Sequence, residues 1–211
     1  MLSKAEDRAR PARLDRDRSL VEEARRDPSR FDALYRKYLA QVYSFAYYEL
    51  RDRHAAEDAT ERVFMQALAG LPRFEERVDA FIASPGVPSG AADSADFSTF
   101  RVWLFRIARN VVANERRRDR RRPVSSLEDA AEFSAPDDVA EAAAAREAVS
   151  AAWAAVSRLP EDRRRAVVLR FVDEMSTAEI AAILGRSEGA VRVLLHRALR
   201  SVADDLRGRL S

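Results

Sequence analysis

Apolar residues recur at intervals of three and four through most of this chain, which is the spacing of amphipathic α-helices. One such stripe, which includes Tyr35, follows Asp27 and runs to about Leu50, and a second, which includes Leu68, follows Asp52 and ends near Gly70. A third consists of Phe100, Leu104, Ile107, Ala108 and Val111. No segment stands out with the alternating pattern of a half-buried strand. The pattern therefore predicts an all-α fold.

The C-terminal part of the chain shows the pattern of a helix-turn-helix. Ser176 and Glu179 have the spacing of a capping box in front of a short apolar helix, which ends at Gly185. Ser187 can cap the following helix, whose apolar stripe continues to Leu206. A short capped helix, a turn that contains glycine and a longer helix are typical of helix-turn-helix domains.

A segment poor in large apolar residues separates these helical regions. Residues 123–150 contain seven acidic residues and one arginine, which gives a local charge of −6 (1 − 7). Its first part, PVSSLEDAAEFSAPDD, is poor in large apolar residues, and such a composition favours a linker over a packed element. The sequence thus predicts two small helical domains joined by a flexible acidic linker. The predicted parts are a mobile lead-in over 1–26 with a short helix at 19–25, an N-terminal domain over 27–122 with a long loop at 73–98, the linker at 123–138, and the helix-turn-helix domain at 139–211.

The overall composition argues against several classes of function. The chain has no cysteine, and its two histidines, His54 and His196, are far apart in sequence, so no disulfide or metal site is predicted. It shows no phosphate-binding loop and no nucleophile or acid–base constellation, so we expect neither an enzyme nor a bound cofactor. The first residues lack the apolar segment of a signal peptide, and no run is long enough to span a bilayer. These features favour a cytoplasmic protein without membrane insertion.

A strong local charge lies in the third helical pattern and the residues that follow it. Residues 100–122 contain nine arginines and two acids, a net charge of +7 (9 − 2), whereas the whole chain carries +2. Trp103, Arg106 and Asn110 follow at i, i+3 and i+7 on a flank of the apolar stripe. Arginine can neutralise phosphate, asparagine can bond a base edge, and tryptophan can stack on an unpaired base. The pattern indicates a nucleic-acid site, although a solvated arginine-rich helix end with a core tryptophan would show the same spacing.

A second basic face lies on the last helix, opposite its apolar stripe. The residues of this face and of the preceding turn are Arg186, Ser187, Gly189, Arg192, Val193, His196, Arg197 and Arg200. The N-terminal end of such a helix is the end that normally enters the major groove. This face indicates binding of duplex DNA, although many helix pairs share the pattern without touching DNA.

The second helical pattern carries an acidic outer face. Glu57, Asp58 and Glu61 lie on it, with Phe64 nearby. An acidic strip beside an aromatic side chain suits docking on a basic protein partner. Acidic residues are also favoured in the N-terminal half of any helix by the macrodipole, so the strip by itself leaves both interpretations open.

Four segments, in this order, resemble the extracytoplasmic-function (ECF) group of bacterial sigma factors. FDALYRKYLAQVYSFAY resembles the first conserved helix of their promoter-melting domain, and AAEDATERVFMQAL resembles their polymerase-docking helix. FRVWLFRIARNVVANERRR resembles the helix that holds the downstream promoter element. LPEDRRRAVVLRFVDEMSTAEIAAILGRSEGAVRVLLHRALRSV resembles their C-terminal helix-turn-helix. The similarity extends from about Phe31 to Leu206.

The resemblance implies an alternative sigma factor, which is a non-catalytic subunit that binds core RNA polymerase and recognises the −35 and −10 elements of promoter DNA. It implies that Asp58, Glu61 and Phe64 dock on the clamp coiled coil of the largest polymerase subunit, and that the flap of the second subunit is a further contact. The residues that match the −10 contacts are Trp103, Arg106, Arg109, Asn110, Arg116, Arg117 and Arg118. The residues that match the −35 contacts are Arg186, Ser187, Glu188, Arg192, His196, Arg197 and Arg200. The linker would thread the active-site and RNA-exit path of the polymerase, and members of the group are commonly held by an anti-sigma factor.

Two features depart from the pattern of the group. Position 61 is Gln in the usual docking motif and Glu in this chain. The loop before the third helix is longer than usual by about twenty residues, and in the group this loop forms the pocket for a flipped base. An enlarged loop could reshape that pocket, bind a regulator or be disordered.

Two other classes of protein share parts of this pattern. An ordinary helix-turn-helix regulator would explain the C-terminal domain, but it leaves the acidic helix face and the acidic linker without a role. A sigma-like adaptor that binds only proteins would explain the docking helix, but not the two basic faces.

Overall fold

The computed structural model describes residues 17–75, 97–119 and 141–210 of the 211-residue chain. These residues form eight α-helices and two 3₁₀ turns, and no strand occurs among them. The helices are α1 (Arg18–Arg26), α2 (Phe31–Leu50), α3 (Arg53–Gly70), α4 (Thr99–Asp119), α5 (Glu141–Ser157), α6 (Glu161–Phe171), α7 (Thr177–Leu184) and α8 (Glu188–Leu210), and the 3₁₀ turns span Pro28–Arg30 and Leu71–Arg73. Within the described ranges, no helix has both the length and the apolar character that a bilayer crossing requires. The predicted all-α fold is confirmed.

The N-terminal bundle consists of α2, α3 and α4, and its helices begin close to the predicted signals. Asp52 caps α3, because its carboxylate accepts a hydrogen bond from the Ala55 amide at 2.7 Å. Asp27 accepts one from the Ser29 amide at 3.0 Å and starts the turn that leads into α2. α2 ends at Leu50, and the next residue, Arg51, has a φ of 58°, the left-handed conformation that commonly terminates a helix.

α1 lies at the end of the N-terminal lead-in, where the sequence predicts a short helix at 19–25. This helix packs on the bundle, since Val21 and Ala24 are buried in the core. Asp17, just before α1, is fully buried and accepts hydrogen bonds from Lys37 and Tyr38 of α2. Leu20 also packs against the core, and Arg25 donates to the carbonyl oxygen of Pro72 at 3.2 Å. These contacts come from distant parts of the chain, so the charged local sequence does not predict them. Residues 1–16 lie outside the described part of the chain.

The helix-turn-helix is formed by α7 and α8, as predicted. The Glu179 amide donates to Ser176 Oγ at 3.2 Å, and the Ser176 amide donates to Glu179 Oε2 at 2.9 Å, which completes the capping box. Gly185 follows α7 with a φ of 66°, a conformation that glycine adopts without strain. Ser187 caps α8 by accepting a bond from the Ala190 amide at 3.2 Å.

The N-terminal bundle and the C-terminal helices pack directly on each other. Leu169 of α6 and Ile180 of α7 belong to the same buried cluster as Phe45 of α2. The rings of Tyr48 in α2 and Trp153 in α5 stack with centroids 4.4 Å apart. The sequence did not predict this packing, because apolar periodicity shows that a helix has a buried face but not which helix covers it.

In α2 and in α3, one residue of the predicted apolar stripe is exposed. Tyr35 on α2 is 38% exposed and Leu68 on α3 is 41% exposed. α4 buries more residues than its predicted stripe contains. Val102, Phe105 and Val112 lie outside that stripe and are fully buried. The reason is that α2 and α3 cover one side of α4 while α7 covers another.

Two predicted segments lie largely or wholly outside the described residues. The linker predicted at 123–138 falls within the range 120–140, and most of the long loop predicted at 73–98 falls within 76–96.

Candidate nucleic-acid and protein interfaces

α4 is anchored at its N-terminal end by a buried polar cluster. Ser98 caps the helix, since its Oγ accepts a hydrogen bond from the Arg101 amide at 3.0 Å. The Ser98 hydroxyl donates in turn to the carboxylate of Asp17, which Lys37 and Tyr38 also contact. Burial alone would raise the pKa of the Asp17 carboxyl, but these hydrogen bonds hold it below its usual value. The start of α4 is therefore tied to α1 and α2.

Trp103 lies where α4 meets the end of α3. Its ring centroid is 5.0 Å from that of Phe74 and 5.6 Å from that of Phe100, and the side chain is half-buried. A Cβ at Gly70 would lie 3.0 Å from Cζ2 of Trp103, so glycine permits this close approach of the two helices. Trp103 is thus part of an aromatic cluster with one side accessible.

Arg106 and Arg109 bind the C-terminal end of α7. Arg106 donates from Nε and Nη2 to the carbonyl oxygen of Ala182 at 3.1 and 2.8 Å, and Arg109 donates from Nη1 to the carbonyl oxygen of Ile183 at 2.7 Å. The last carbonyls of a helix lack partners within the helix, and the macrodipole favours cations there. Burial lowers the pKa of Arg106, and the neighbouring Arg109 adds to this effect. Both guanidinium groups, which the resemblance assigns to the −10 element, are engaged inside the molecule.

Arg116, further along α4, joins an ion cluster around the buried carboxylate of Glu49. Arg116 Nη1 lies 3.0 Å from Glu49 Oε2 and 3.3 Å from Glu161 Oε1. Arg164 and Arg165 of α6 approach the same Glu49 oxygen at 3.6 and 3.2 Å. Burial lowers the pKa of Arg116, although the two carboxylates act in the opposite direction. This Glu49 cluster connects α2, α4 and α6.

The other three residues assigned to the −10 element remain at the surface. Asn110 and Arg117 are exposed, and Arg117 Nη1 donates to Asn114 Oδ1 at 2.9 Å. Arg118 is exposed and lies 3.7 Å from the carboxylate of Glu115. All seven −10 candidates therefore lie on one helix, but four of them are packed against other parts of the chain.

α8 presents its basic face to solvent. Arg192, His196, Arg197 and Arg200 are all exposed, whereas Val191 on the opposite stripe is fully buried. Because α8 is a continuous helix, the four side chains lie along one side of it. This is the geometry of a helix that can enter a DNA groove.

The turn before α8 contributes less to that face than the sequence suggested. Arg186 is exposed and forms an ion pair with Asp162 of α6. Ser187 serves as the helix cap, and Glu188 is buried with its carboxylate 2.9 Å from Arg192 Nη2. Ser187 and Glu188 therefore support the helix start and hold Arg192.

An apolar groove of about 430 Å³ lies between α2 and α3. Phe64 is buried in it, with ring centroids 6.4 Å from Phe31 and 4.7 Å from Tyr35. Glu61, one of the predicted docking residues, is exposed and lines the groove, whereas Asp58 is exposed outside it. The groove is lined by Phe31, Tyr35, Leu39, Tyr43, Glu57, Thr60, Glu61, Phe64, Met65 and Leu68.

The sequence reasoning missed most of the exposed apolar surface of this groove. Met65, which the predicted apolar stripe of α3 does not include, is 65% exposed, and the exposed Tyr35 and Leu68 belong to predicted apolar stripes. An available signal was that Met65 and Leu68 widen the apolar stripe of α3 beyond what α2 alone can cover. Neighbouring exposed apolar residues of this kind mark an interaction surface.

Two family models match the chain in the order of its domains. The model described as "Sigma-70 region 2" matches residues 34–83, and "Sigma-70, region 4" matches residues 150–202.

Curated relatives of the chain are sigma factors. The chain is 32% identical over 190 residues to the ECF RNA polymerase sigma factor BldN of Streptomyces coelicolor, a match that covers 87% of this chain and 63% of BldN. It is 33% identical over 151 residues to the ECF RNA polymerase sigma factor ShbA of Streptomyces griseus, covering 70% of this chain and 69% of ShbA. The chain thus spans less than two thirds of the length of BldN.

The fold is also that of a sigma factor of known structure. The sigma factor RpoE, solved in complex with the anti-sigma factor NepR from Bartonella quintana, aligns with a TM-score of 0.59 over 84% of this chain and 96% of that chain, at 21% identity. This likeness concerns the fold, whereas the identity to ShbA and the two matching models concern the sequence. Together they show that the chain belongs to the ECF group of bacterial RNA polymerase sigma factors.

Proposed function

We propose that this chain is an alternative sigma factor, a non-catalytic subunit that binds core RNA polymerase in the cytoplasm and directs it to promoters through −35 and −10 elements. One observation carries the proposal. This chain combines an apolar groove that has an acidic rim with two separate basic helices, α4 and α8. A helix-turn-helix regulator has no need of the groove, and an adaptor has no need of the basic helices.

The groove between α2 and α3 is the proposed docking site for the clamp coiled coil of the polymerase. A helical partner fits an apolar groove by inserting its own apolar side chains. The exposed side chains of Tyr35, Met65 and Leu68 offer that surface, and Glu57 and Glu61 at the rim suit a basic partner. Phe64 would act mainly by shaping the groove, because its own ring is buried.

The basic face of α8 is the proposed reader of the −35 element. Its exposed arginines can bond both phosphates and base edges when the helix lies in the major groove of duplex DNA. α4 is the proposed holder of the −10 element in its unpaired form. Stacking on Trp103 and hydrogen bonds from Asn110 and the arginines would offset the unpairing of a base, which costs a few kcal/mol.

The proposed division of the chain follows these roles. Residues 27–122 would form the domain for polymerase docking and the −10 element, and residues 139–211 would form the domain for the −35 element. The segment 123–138 would join them along the RNA-exit path of the polymerase. Like the Bartonella quintana sigma factor, whose structure contains an anti-sigma factor, this chain would be restrained by such a partner.

Transcript mapping tests the proposal. Purified protein is added to bacterial core polymerase, and transcript starts are mapped on genomic DNA fragments. We expect starts that depend on the protein and that share two spaced sequence motifs upstream. A shift of duplex DNA by the protein alone, without dependent starts, would instead indicate a helix-turn-helix regulator. If neither dependent starts nor a shift of duplex DNA is observed, the protein would be an adaptor that binds only proteins.

A charge placed in the groove should weaken docking. In Met65→Glu a carboxylate replaces an exposed apolar side chain that the partner would bury, so binding to core polymerase should weaken by tenfold or more, which is about 1.4 kcal/mol. Gln66→Glu is the matched control, because Gln66 is exposed on the same helix but does not line the groove. Binding is measured by the fluorescence anisotropy of labelled protein titrated with core polymerase. Equal affinities for the two variants would contradict the assignment of the groove.

A further inference from the structure

Two residues on the exposed side of α8 cannot make the charged contacts that its arginines offer. Gly189 and Val193 are four residues apart, so they are neighbours on the surface of the helix. Val193 is 48% exposed although its side chain is apolar. A single exposed apolar side chain is ordinary on a protein surface, so its surroundings decide whether it has a role.

The surroundings of Val193 are those of a side chain that would face base edges. Arg200 lies two turns further along the same side of α8, and His196 and Arg197 are three and four residues from Val193. All three are exposed. Val193 is also in the first two turns of α8, and the N-terminal part of a recognition helix is the part that contacts base edges. It would therefore be covered when this face meets a DNA duplex.

Gly189 leaves room for a base pair beside Val193. Apart from its chain neighbours and the helix backbone, the nearest atom to a Cβ built at Gly189 would be Ser187 Oγ, at 4.0 Å. The protein interior thus does not require glycine at this position, and glycine is unfavourable within a helix. Its effect is a surface without a side chain, one turn ahead of Val193, to which DNA can approach closely.

The start of α8 is held in a defined orientation. Ser187 Oγ accepts a hydrogen bond from the Ala190 amide at 3.2 Å. Arg192 Nη2 lies 2.9 Å from the carboxylate of Glu188, which is buried. A short side chain such as valine needs a fixed backbone, because it cannot adjust its reach as arginine can.

The chemistry of the major groove restricts what a valine can contact favourably there. All four base pairs present hydrogen-bond donors and acceptors, and thymine alone adds a C5-methyl group. A donor or acceptor that valine covers loses its water and gains no partner, which is unfavourable. A methyl group that valine covers is removed from water, which is favourable.

We propose that Val193 selects a thymine within the −35 element by packing on its C5-methyl group in the major groove, and that Gly189 leaves the space for this contact. The proposal rests on the proposed role of α8 as the reader of the −35 element. The arginines of the same face bind phosphates and guanine, and Val193 distinguishes thymine from cytosine.

Replacement of single thymines by deoxyuridine tests the contact, because deoxyuridine pairs as thymine does and lacks only the methyl group. The protein is combined with core polymerase, and a fluorescein-labelled duplex carries a promoter located by transcript mapping. Unlabelled duplexes compete for binding, each with one thymine of the −35 element replaced, on either strand. We expect one position at which the replacement weakens binding by about fourfold, and fluorescence anisotropy measures the competition.

The same duplexes are then bound by the variant Val193→Ala, which should fold because alanine favours a helix. It should bind the thymine and deoxyuridine duplexes equally well at that position, about fourfold more weakly than the unmodified protein binds the thymine duplex. The matched control is Leu199→Ala. Among the described residues of α8, Leu199 is the other exposed large apolar side chain, also at 48%, but it lies on a different side of the helix. This control should keep the full preference for thymine.

The possible results separate this inference from the proposed function. Core-dependent starts without any preference for thymine, or with a preference that Val193→Ala retains, overturn the inference and leave the sigma-factor role intact. A −35 element without an A·T pair does the same. If the chain directs no starts but binds duplex DNA alone, the sigma-factor role fails, and the same replacements in the bound duplex decide the role of Val193. A chain that binds no duplex, with or without core polymerase, overturns both.

Discussion

Asp173, in the turn between α6 and α7, is a single residue whose ionisation is made unfavourable by burial. It is fully buried, and neither of its carboxylate oxygens has a hydrogen-bond partner in the described part of the chain. Burial raises the pKa of this carboxyl to about 8, although the charge of Arg101 acts in the opposite direction. Tyr48 on α2 also faces this region, and burial raises its pKa to about 12 with smaller effects from Tyr47 and Asp173.

The raised pKa predicts how Asp173 links stability to pH. The unfolded carboxyl ionises near its ordinary pKa of 3.8, whereas the folded one holds its proton up to about pH 8. The folded state therefore loses stability as the pH rises from about 4 to 8, and the loss is constant above that range. Asp173→Asn removes this loss. It should be more stable than the unmodified chain by up to about 5 kcal/mol at pH 8, since each unit of pKa shift corresponds to about 1.4 kcal/mol, and equally stable at pH 4.

Urea unfolding followed by circular dichroism at several pH values measures this difference. Glu174→Gln is the control, because Glu174 neighbours Asp173 in the chain but is not buried. A stability difference between Asp173→Asn and the unmodified chain that does not change with pH would contradict the assignment.

At the scale of the element, α8 and α4 are both basic helices, but their arginines are in different environments. On α8 the apolar stripe faces the domain core, and the arginines on the other side remain in water. α4 is covered on more than one side, so that its arginines become interdomain contacts. The difference follows from what surrounds each helix, since both helices are amphipathic and rich in arginine.

The exposed face of α8 should contribute phosphate contacts that salt weakens. In Arg200→Gln one such contact is lost, so the slope of log affinity against log salt for polymerase bound to its promoter should become shallower by about one. Arg207→Gln on the same helix is the control, since Arg207 is exposed but lies beyond the proposed DNA face and pairs with Asp204. Filter binding over a range of salt concentrations measures the slope. Identical slopes for the two variants would remove Arg200 from the DNA face.

At the scale of the whole molecule, the shared core couples the two helical bundles. Buried residues of α6 and α7 lie in one continuous cluster with those of α2, α3 and α4. When two units share buried surface, the unfolding of one exposes apolar area on the other and lowers its stability. The two bundles should therefore unfold together.

Calorimetry can detect this coupling. The unmodified chain should unfold in a single thermal transition at neutral pH, whereas Arg164→Gln/Arg165→Gln should show two, because the Glu49 cluster no longer holds the bundles together. The control is Arg163→Gln/Arg170→Gln on the same helix, because Arg163 contacts Ser201 and Arg170 donates to the Met175 carbonyl, both within the C-terminal helices. This variant should keep one transition. Two well-separated transitions in the unmodified chain would show that the bundles are independent.

The local features of this protein could be predicted from its sequence because their causes are local. Ser176 and Glu179 are three residues apart, and the capping box they form depends on that spacing alone. The same holds for the cap at Asp52 and for the left-handed Gly185. The direction of the α8 basic face follows from helical periodicity, which needs no knowledge of the rest of the chain.

The features that the sequence did not reveal depend on which surfaces meet. Arg106 and the Ala182 carbonyl are 76 residues apart, and Arg116 and the Glu49 carbonyl are 67 apart. No periodicity within either helix indicates that these groups touch. The exposure of Tyr35 likewise depends on what covers α2, and not on its position in the apolar stripe.

The sequence by itself thus determined the helices, their caps, the helix-turn-helix and the family to which the chain belongs, because hydrogen bonds between neighbours and the period of 3.6 residues are properties of short segments. Only the tertiary structure decided that Arg106 and Arg109 are occupied, that Glu49 and Asp173 are buried, and that the groove beside Met65 is open. Burial and charge pairing are set by the partner surface, and that surface comes from distant parts of the chain.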